Sequence, residues 1–354
     1  VIRGIAATAS DGTAAEAAQN ALTAGGSAAD ALIAGFLAAA GARPGVLLAP
    51  AIALVAGTGV GARVFDGRAA QPGLGAARPR GFVDAASVPH AARVAAPRTL
   101  GMLSLLHGYL GRTRMGELAR NGILAATHAG ATERAELIKQ VGASGGATLQ
   151  LRAVSRALLA AGGVIAGGTL TEDDLRENLP GSGDALTTEL PGDPEGSDPI
   201  TLVRSPFPAG AEARPAEIIV ACDGRGMLAA LAYAPARLGV IVAELEIELG
   251  HDAVPVRRGV PRTTPGTVLP MATPIAVLQR GRFAAAVGLE RLPGIDNRTL
   301  TSLTERLTFE TGWDASLETR LSELRLQTNA RRALAAVRDG QNAKALIQGK
   351  ITDD

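Results

Sequence analysis

Few residues in this chain are of a type that could carry covalent or metal chemistry, and their spacing limits what they can do. The only thiol is Cys222, placed in the middle of the apolar run Ile218-Ile219-Val220-Ala221-Cys222. A thiol there is expected to be buried and structural, because a reactive one needs exposure and a neighbouring cation. The four histidines, His90, His107, His128 and His251, are scattered through the chain. None has the i, i+4 partner that places two imidazoles on one helix face, so each is expected to be a surface or capping residue and no metal is expected. Glu244, Glu246 and Glu248 alternate with apolar residues. On a strand they would share one face and could hold a cation, though a solvated strand face is the simpler expectation. The glycine pairs at 145–146, 162–163 and 167–168 are not followed by Lys-Ser/Thr, so no phosphate loop and no nucleotide cofactor is expected. The candidate hydroxyl nucleophiles are Thr201, which begins the run Thr201-Leu202-Val203, and the pair Thr187-Thr188 upstream of it.

Composition narrows the partners. The 354 residues are 47% hydrophobic and 19% charged, enough to bury a sizeable core, while aromatics are only 3%. A core so rich in alanine requires close helix–sheet approach to fill its volume. Lys+Arg 35 against Asp+Glu 34 gives a net charge of +1, which predicts no strong pull toward nucleic acid or an anionic membrane. One cysteine excludes an intramolecular disulfide. The start, Val1-Ile2-Arg3-Gly4, shows no charged segment leading into an apolar one. The resulting expectation is a cytoplasmic protein, or a periplasmic one if this start is a processed terminus. The apolar run Ala28 to Ala40 is short and carries Asp30, so it is expected to be a buried core helix and not a membrane span.

The elements that must position these groups follow from periodicity and punctuation. Thr13 with Glu16 predicts a capped helix over 14–24, ended by Gly25-Gly26, and Ser27 predicts the cap of a second helix to about 40. Short strands separated by glycine turns are expected over 46–65, then helices at 99–110, 114–126, 130–141, 147–161 and 171–178. Residues 180–215 are dense in Pro, Gly, Asp and Ser and read as a long surface linker. The segment 216–233 reads as strand, Asp223-Gly224 turn, strand. A strand is expected at 242–249, with helix the alternative, further strands at 274–279 and 283–289, and helices from about 300 to 347, one starting near Trp313.

Several of these segments, in order, resemble the gamma-glutamyltranspeptidase family of N-terminal-nucleophile hydrolases. They are Ala6-Ala7-Thr8-Ala9-Ser10 with Gly25-Gly26-Ser27-Ala28-Ala29-Asp30-Ala31, then Ala95-Ala96-Pro97-Arg98-Thr99-Leu100-Gly101, then Gly167-Gly168-Thr169-Leu170-Thr171-Glu172-Asp173-Asp174-Leu175, then the 216–233 hairpin, and Pro265-Gly266-Thr267 through Pro274. The resemblance covers roughly residues 4–290. It implies an α+β fold, a four-layer αββα sandwich of the N-terminal-nucleophile hydrolase type. It also implies a division into a helix-rich part (1–179) like the family's large subunit, the linker (180–215), a sheet-forming part (216–299) like the small subunit, and a C-terminal helical segment (300–354).

Carried over position by position, the resemblance implies a lost active site. The family's nucleophile is the threonine that opens the hairpin strand, freed by self-cleavage and activated by its own amine. Here that position is Ala216, and Glu217 replaces the threonine after it. The family's oxyanion glycine pair falls within Gly288-Leu289-Glu290-Arg291-Leu292-Pro293-Gly294, where no paired glycines occur, its substrate-holding serines fall on Pro270 and Met271, and its glycine-rich run falls on Leu47-Leu48-Ala49-Pro50-Ala51-Ile52. Arg68, in Asp66-Gly67-Arg68, matches an arginine that binds the substrate's α-carboxylate; the simpler alternative is a surface arginine in a turn. The expectation is a chain that stays uncleaved and acts as a non-catalytic structural or regulatory subunit, paired with another protein subunit or with further copies of itself. Two alternatives stand beside it: an amide hydrolase or acyltransferase with a relocated nucleophile such as Thr201, and a binder of an amino-acid-type ligand through Arg68.

Overall fold

The structure, a computed structural model, describes residues 3–57, 59–77, 81–190, 198–207, 214–307 and 315–349. In chain order the elements are β1 (Ala6–Ala9), α1 (Gly12–Thr23), α2 (Ala28–Ala42), β2 (Ala51–Gly57), β3 (Gly61–Gly67), α3 (Thr99–Leu110), α4 (Met115–Leu118), α5 (Arg120–His128), α6 (Thr132–Ser144), α7 (Arg152–Gly162) and α8 (Glu172–Glu177). There follow β4 (Gly181–Asp184), β5 (Leu186–Leu190), β6 (Ile200–Arg204), β7 (Glu217–Cys222), β8 (Met227–Tyr233), β9 (Val240–Val242), β10 (Ile247–Leu249), β11 (Ile275–Arg280), β12 (Phe283–Leu289), α9 (Asn297–Leu307), α10 (Ala315–Thr328), β13 (Ala333–Asp339) and β14 (Asn342–Gln348). Two six-stranded antiparallel sheets, ordered β1-β7-β8-β2-β3-β4 and β14-β13-β12-β11-β6-β5, dominate this mixed α/β architecture.

Strand alternation explains the packing. On β7, Ile219 and Ala221 face a core shared with Leu22, Ile33 and Phe36 of α1 and α2. Ile218, Val220 and Cys222 face the other way, into a core shared with Val277, Ala286 and Leu334 of the second sheet. The far face of that sheet presents Ala285, Val287 and Ala335 to Leu303, Leu321 and Leu324 of α9 and α10. Successive strand side chains point to opposite faces, so a strand covered on both sides reads as one continuous apolar run. That is the pattern of 218–222. Gly288 lets the sheets approach, since a Cβ there would overlap Ile218.

Local signals were read well where both partners lie close in sequence. Ser27 caps α2 in a reciprocal capping box with Asp30, and Thr171 does the same for α8 with Asp174. The first cap is corrected: Asp11, not Thr13, accepts from Ala14 N, so the helix starts one residue before Thr13. Val46 to Leu48 form a buried turn and not a strand.

Longer-range expectations fail more often. The 180–215 segment, read as a linker, contains three strands: β4 joins the first sheet on β3, and β5 and β6 extend the second on β11. Its residues 191–197 and 208–213 lie outside the described residues, as does Trp313. The tail read as helical ends in the hairpin β13–β14. Its Ala333-Leu334-Ala335-Ala336 stretch has helix-forming residues, but pairing with β12 and burial on both faces override that propensity. The strand expected at 242–249 is broken by a 3-10 turn at Ala243–Leu245 and by Glu246, whose φ is 50°. The three glutamates therefore do not share one strand face. Among the described residues no three His, Cys, Asp or Glu side chains are grouped to hold a metal, and no helix is long and apolar enough to cross a membrane.

Asp30 does more than interrupt an apolar helix. Fully buried, its carboxylate accepts from the backbone N–H groups of Ser27, Arg112 and Thr113 at 2.8, 2.9 and 3.2 Å. Asp30→Ala leaves three donors without their acceptor and is expected to destabilise the fold by about 3 kcal/mol. Asp30→Asn, which keeps one oxygen, is expected to lose less; chemical denaturation of the two variants measures the difference.

Candidate functional site

The start of β7 opens into a cavity of about 520 Å³. Ala216, immediately before the strand, lies on its wall and is itself 2% exposed. Its methyl belongs to the core between the two sheets, with Ala234, Met271 and Ala272. Glu217 lies on the helix-facing side of the strand by alternation, opposite Tyr233 in register.

Ion pairs centred on three arginines build the cavity. Arg43, at the C-terminal cap of α2, grips Glu217 with two parallel hydrogen bonds of 2.6 and 2.5 Å. Its Nε lies 3.7 Å from Asp11, the cap of α1. Arg332, at the entry to β13, pairs its Nε with Glu290 at 3.3 Å and donates through Nη1 to the carbonyl of Ser10. Arg214 donates to both carboxylate oxygens of Asp252 at 2.7 and 2.8 Å. Ser10 ties the wall to the strand: its N–H donates to Ile218 O, and its hydroxyl accepts from Ile218 N, each at 2.8 Å. It is a hydroxyl in this cavity that the sequence reading did not single out.

Burial and pairing compete at the acids. Burial would push the Glu217 carboxyl up, but the Arg43 guanidinium overrides it and holds the group below the usual glutamate range. Burial likewise works against the charged form of Arg43, and Glu217 reverses the balance. At Glu290 burial wins: its carboxyl is raised despite Ser10 and Arg332.

The loop after β12 has a feature that was half legible. Glu290-Arg291 occupies the region where the family resemblance places a glycine pair, and Arg291 has φ 70°. That left-handed backbone is the one glycine adopts without strain. Arg291 holds a glycine-like conformation.

The sequence-derived candidates do not converge here. Thr201 lies in β6, paired with Gln279 on one side and Glu189 on the other, away from the cavity wall. Thr187 and Thr188 lie in β5. Arg68 follows β3 and is buried, not a surface turn residue. Its guanidinium makes two 3.0 Å hydrogen bonds to Asp66 and stacks 3.8 Å from the Phe207 ring centroid. Asp66 is also 3.7 Å from Arg98. Cys222 is fully buried and its thiol is pushed up to about 12 by desolvation, as a structural thiol should be. The histidines are less scattered than their spacing implied: His90 Nδ1 and His251 Nε2 meet at 3.2 Å.

With the geometry in place, comparison with solved structures is informative about fold. Cephalosporin acylase from Bacillus halodurans superposes over 99% of this chain and 96% of its own, with TM-score 0.69 and 13% identity. The LmbA2991HD structure superposes over 99% and 98%, with TM-score 0.66 and 13% identity. The chain has the fold of the N-terminal-nucleophile hydrolases. Gamma-glutamyltranspeptidase from Pseudomonas nitroreducens also aligns, over 58% of this chain and 71% of its own, with TM-score 0.47 and 18% identity. No protein-family profile and no curated protein matches the sequence.

The Arg43–Glu217 pair gives a pH test. Because the folded value of Glu217 lies below the ordinary 4.5, its contribution is present above that pH and is lost as pH falls through the lowered folded value. Glu217→Gln is expected to cost about 2 kcal/mol at neutral pH by leaving Arg43 without its carboxylate. It is also expected to flatten the acid limb of stability against pH, measured by circular dichroism between neutral and acid conditions.

Proposed function

We propose that this chain is a non-catalytic member of the N-terminal-nucleophile hydrolase fold, a four-layer αββα sandwich that acts as a structural or regulatory subunit and is not self-cleaved. The observation that carries the reading is Ala216: the residue at the head of the central hairpin strand, on the wall of the cavity, carries only a methyl, packed into the core between the sheets. A methyl has no lone pair with which to attack a carbonyl, and the same side chain would have to start self-cleavage. The setting supports the reading further. Glu217 is held by Arg43, and the loop that would supply an oxyanion hole carries Glu290, a carboxylate whose charge would oppose a developing oxyanion.

The relocated-nucleophile reading gains little support, since Thr201 lies within a paired strand away from this cavity. The Arg68 reading is no stronger, because one edge of that guanidinium, Nε and Nη2, is already held by Asp66 and its face lies against Phe207. On the proposed reading the division at 216 is a boundary between regions of one continuous polypeptide.

The test joins mass and turnover. Intact mass spectrometry is expected to show one polypeptide spanning residue 216, and a gamma-glutamyl anilide or a cephalosporin-type amide is expected to be left unhydrolysed. Fragments beginning at Ala216 or Thr201, or turnover abolished by Thr201→Ala or Ser10→Ala, would overturn the proposal. Native mass spectrometry of the same sample reports whether a second subunit or a second copy is bound.

A further inference from the structure

The cavity at the head of β7 holds a concentration of cations that the composition does not predict. Six arginines line it: Arg43, Arg214, Arg237, Arg291, Arg331 and Arg332. Against them stand three lining carboxylates, Asp11, Glu217 and Glu290, and a fourth behind the wall, Asp252, which holds Arg214. The whole chain, by contrast, carries a net charge of only +1. The excess is local, and it is gathered from α2, from the segments on either side of the β7–β8 hairpin, from the loop after β12 and from the entry to β13.

These arginines divide by their setting. Arg43, Arg214 and Arg332 are fixed by Glu217, Asp252 and Glu290, and their planes are held before any ligand arrives. Arg237 and Arg291 are exposed. Arg237 has only a 3.9 Å contact with Glu217, and Arg291 projects from a left-handed backbone position that an arginine rarely occupies. Guanidinium groups in a concave site recognise carboxylate and phosphate oxygens through paired hydrogen bonds. A volume of about 520 Å³ also lies within the range of small-molecule pockets.

We infer that this cavity binds a compact anion of at least two negative charges, a di- or tricarboxylate or a phosphate ester, held by the fixed arginines and closed over by Arg237 and Arg291. Arg237 and Arg291, the lining arginines that stand outside the three fixed pairs and are exposed, bring two positive charges to the mouth, which is why the ligand is multiply charged. The inference rests on the reading of the cavity as non-catalytic, and it gives a regulatory subunit something to sense. The residues involved are distinct from Arg68, which is buried against Asp66 and Phe207.

Titration calorimetry of the full chain with citrate, succinate, pyrophosphate and acetate tests it. At least one multivalent anion is expected to bind saturably and about tenfold more tightly than acetate, and the affinity is expected to fall with added salt. The citrate and pyrophosphate arms separate carboxylate from phosphate recognition. Arg237→Ala combined with Arg291→Gly is expected to weaken binding about tenfold or more. The glycine suits the left-handed backbone at 291, so the double variant should fold, and its thermal melt in the absence of anion confirms this. Arg120→Ala, an exposed arginine of α5 away from the cavity, is expected to leave binding unchanged. No saturable binding of any multivalent anion at millimolar concentration, or equal binding by wild type and the folded double variant, would overturn the inference. Intact mass and anilide turnover, read on the same samples, report separately on whether the chain is non-catalytic.

Discussion

The burial of β7 on both faces is the constraint on which the rest of the molecule depends. Its odd-numbered residues pack on α1 and α2 and its even-numbered ones on the second sheet. Both contacts demand small or flat neighbours, and the chain supplies them: Ala229, Ala230 and Ala232 on β8, Ala286 and Gly288 on β12, Ala336 on β13. Gly288 against Ile218 sets how closely the sheets approach. With so few aromatic residues, interior volume is filled by bringing backbones together and not by enlarging side chains.

A strand enclosed in this way has a distinctive end. Where β7 begins, neither core can continue, and the polar groups of several segments meet. The carboxylate of Glu217 cannot remain there uncompensated, and the C-terminal cap of α2 delivers Arg43 to it. The same holds for Glu290, buried beside Arg332. At Glu217 the pair offsets the desolvation penalty with a hydrogen-bonded counter-charge, and at Glu290 the ion pair offsets it only in part. The cavity is thus an outcome of sheet packing, and its charges are an outcome of the ion pairs that make the strand end tolerable. Ala216 lies where these two consequences meet. It is a small apolar residue belonging to the inter-sheet core, with its neighbour Glu217 already committed to the helix side.

The loop after β12 shows how backbone and side chain can part company. Arg291 holds a positive φ that costs about 1 kcal/mol or more for a residue with a Cβ. The surrounding structure imposes it: Glu290 N donates to Arg332 O and Arg331 N to Glu290 O, which pins the loop to the start of β13. The left-handed backbone there is dictated by the strand pairing and not by the residue.

What the sequence by itself determined was local or strongly patterned. The reciprocal caps at Ser27–Asp30 and Thr171–Asp174 and the hairpin around Asp223-Gly224 could be read from neighbouring residues, because their partners lie a few positions away, and the burial of Cys222 followed from the unbroken apolar run 218–222 around it. The collinear resemblance extended this to the fold. Only the tertiary structure decided the rest. Strands β4 to β6 look like linker because their hydrogen-bond partners are β3 and β11, distant in the chain. The alanine-rich β13 looks helical because its preference is outvoted by β12. Arginines 43, 214, 237, 291, 331 and 332 look like members of a uniformly arginine-rich surface until folding brings them to one cavity. Charge–charge and strand–strand energies depend on distance in space, and sequence separation carries almost no information about that distance once the chain has closed its sheets.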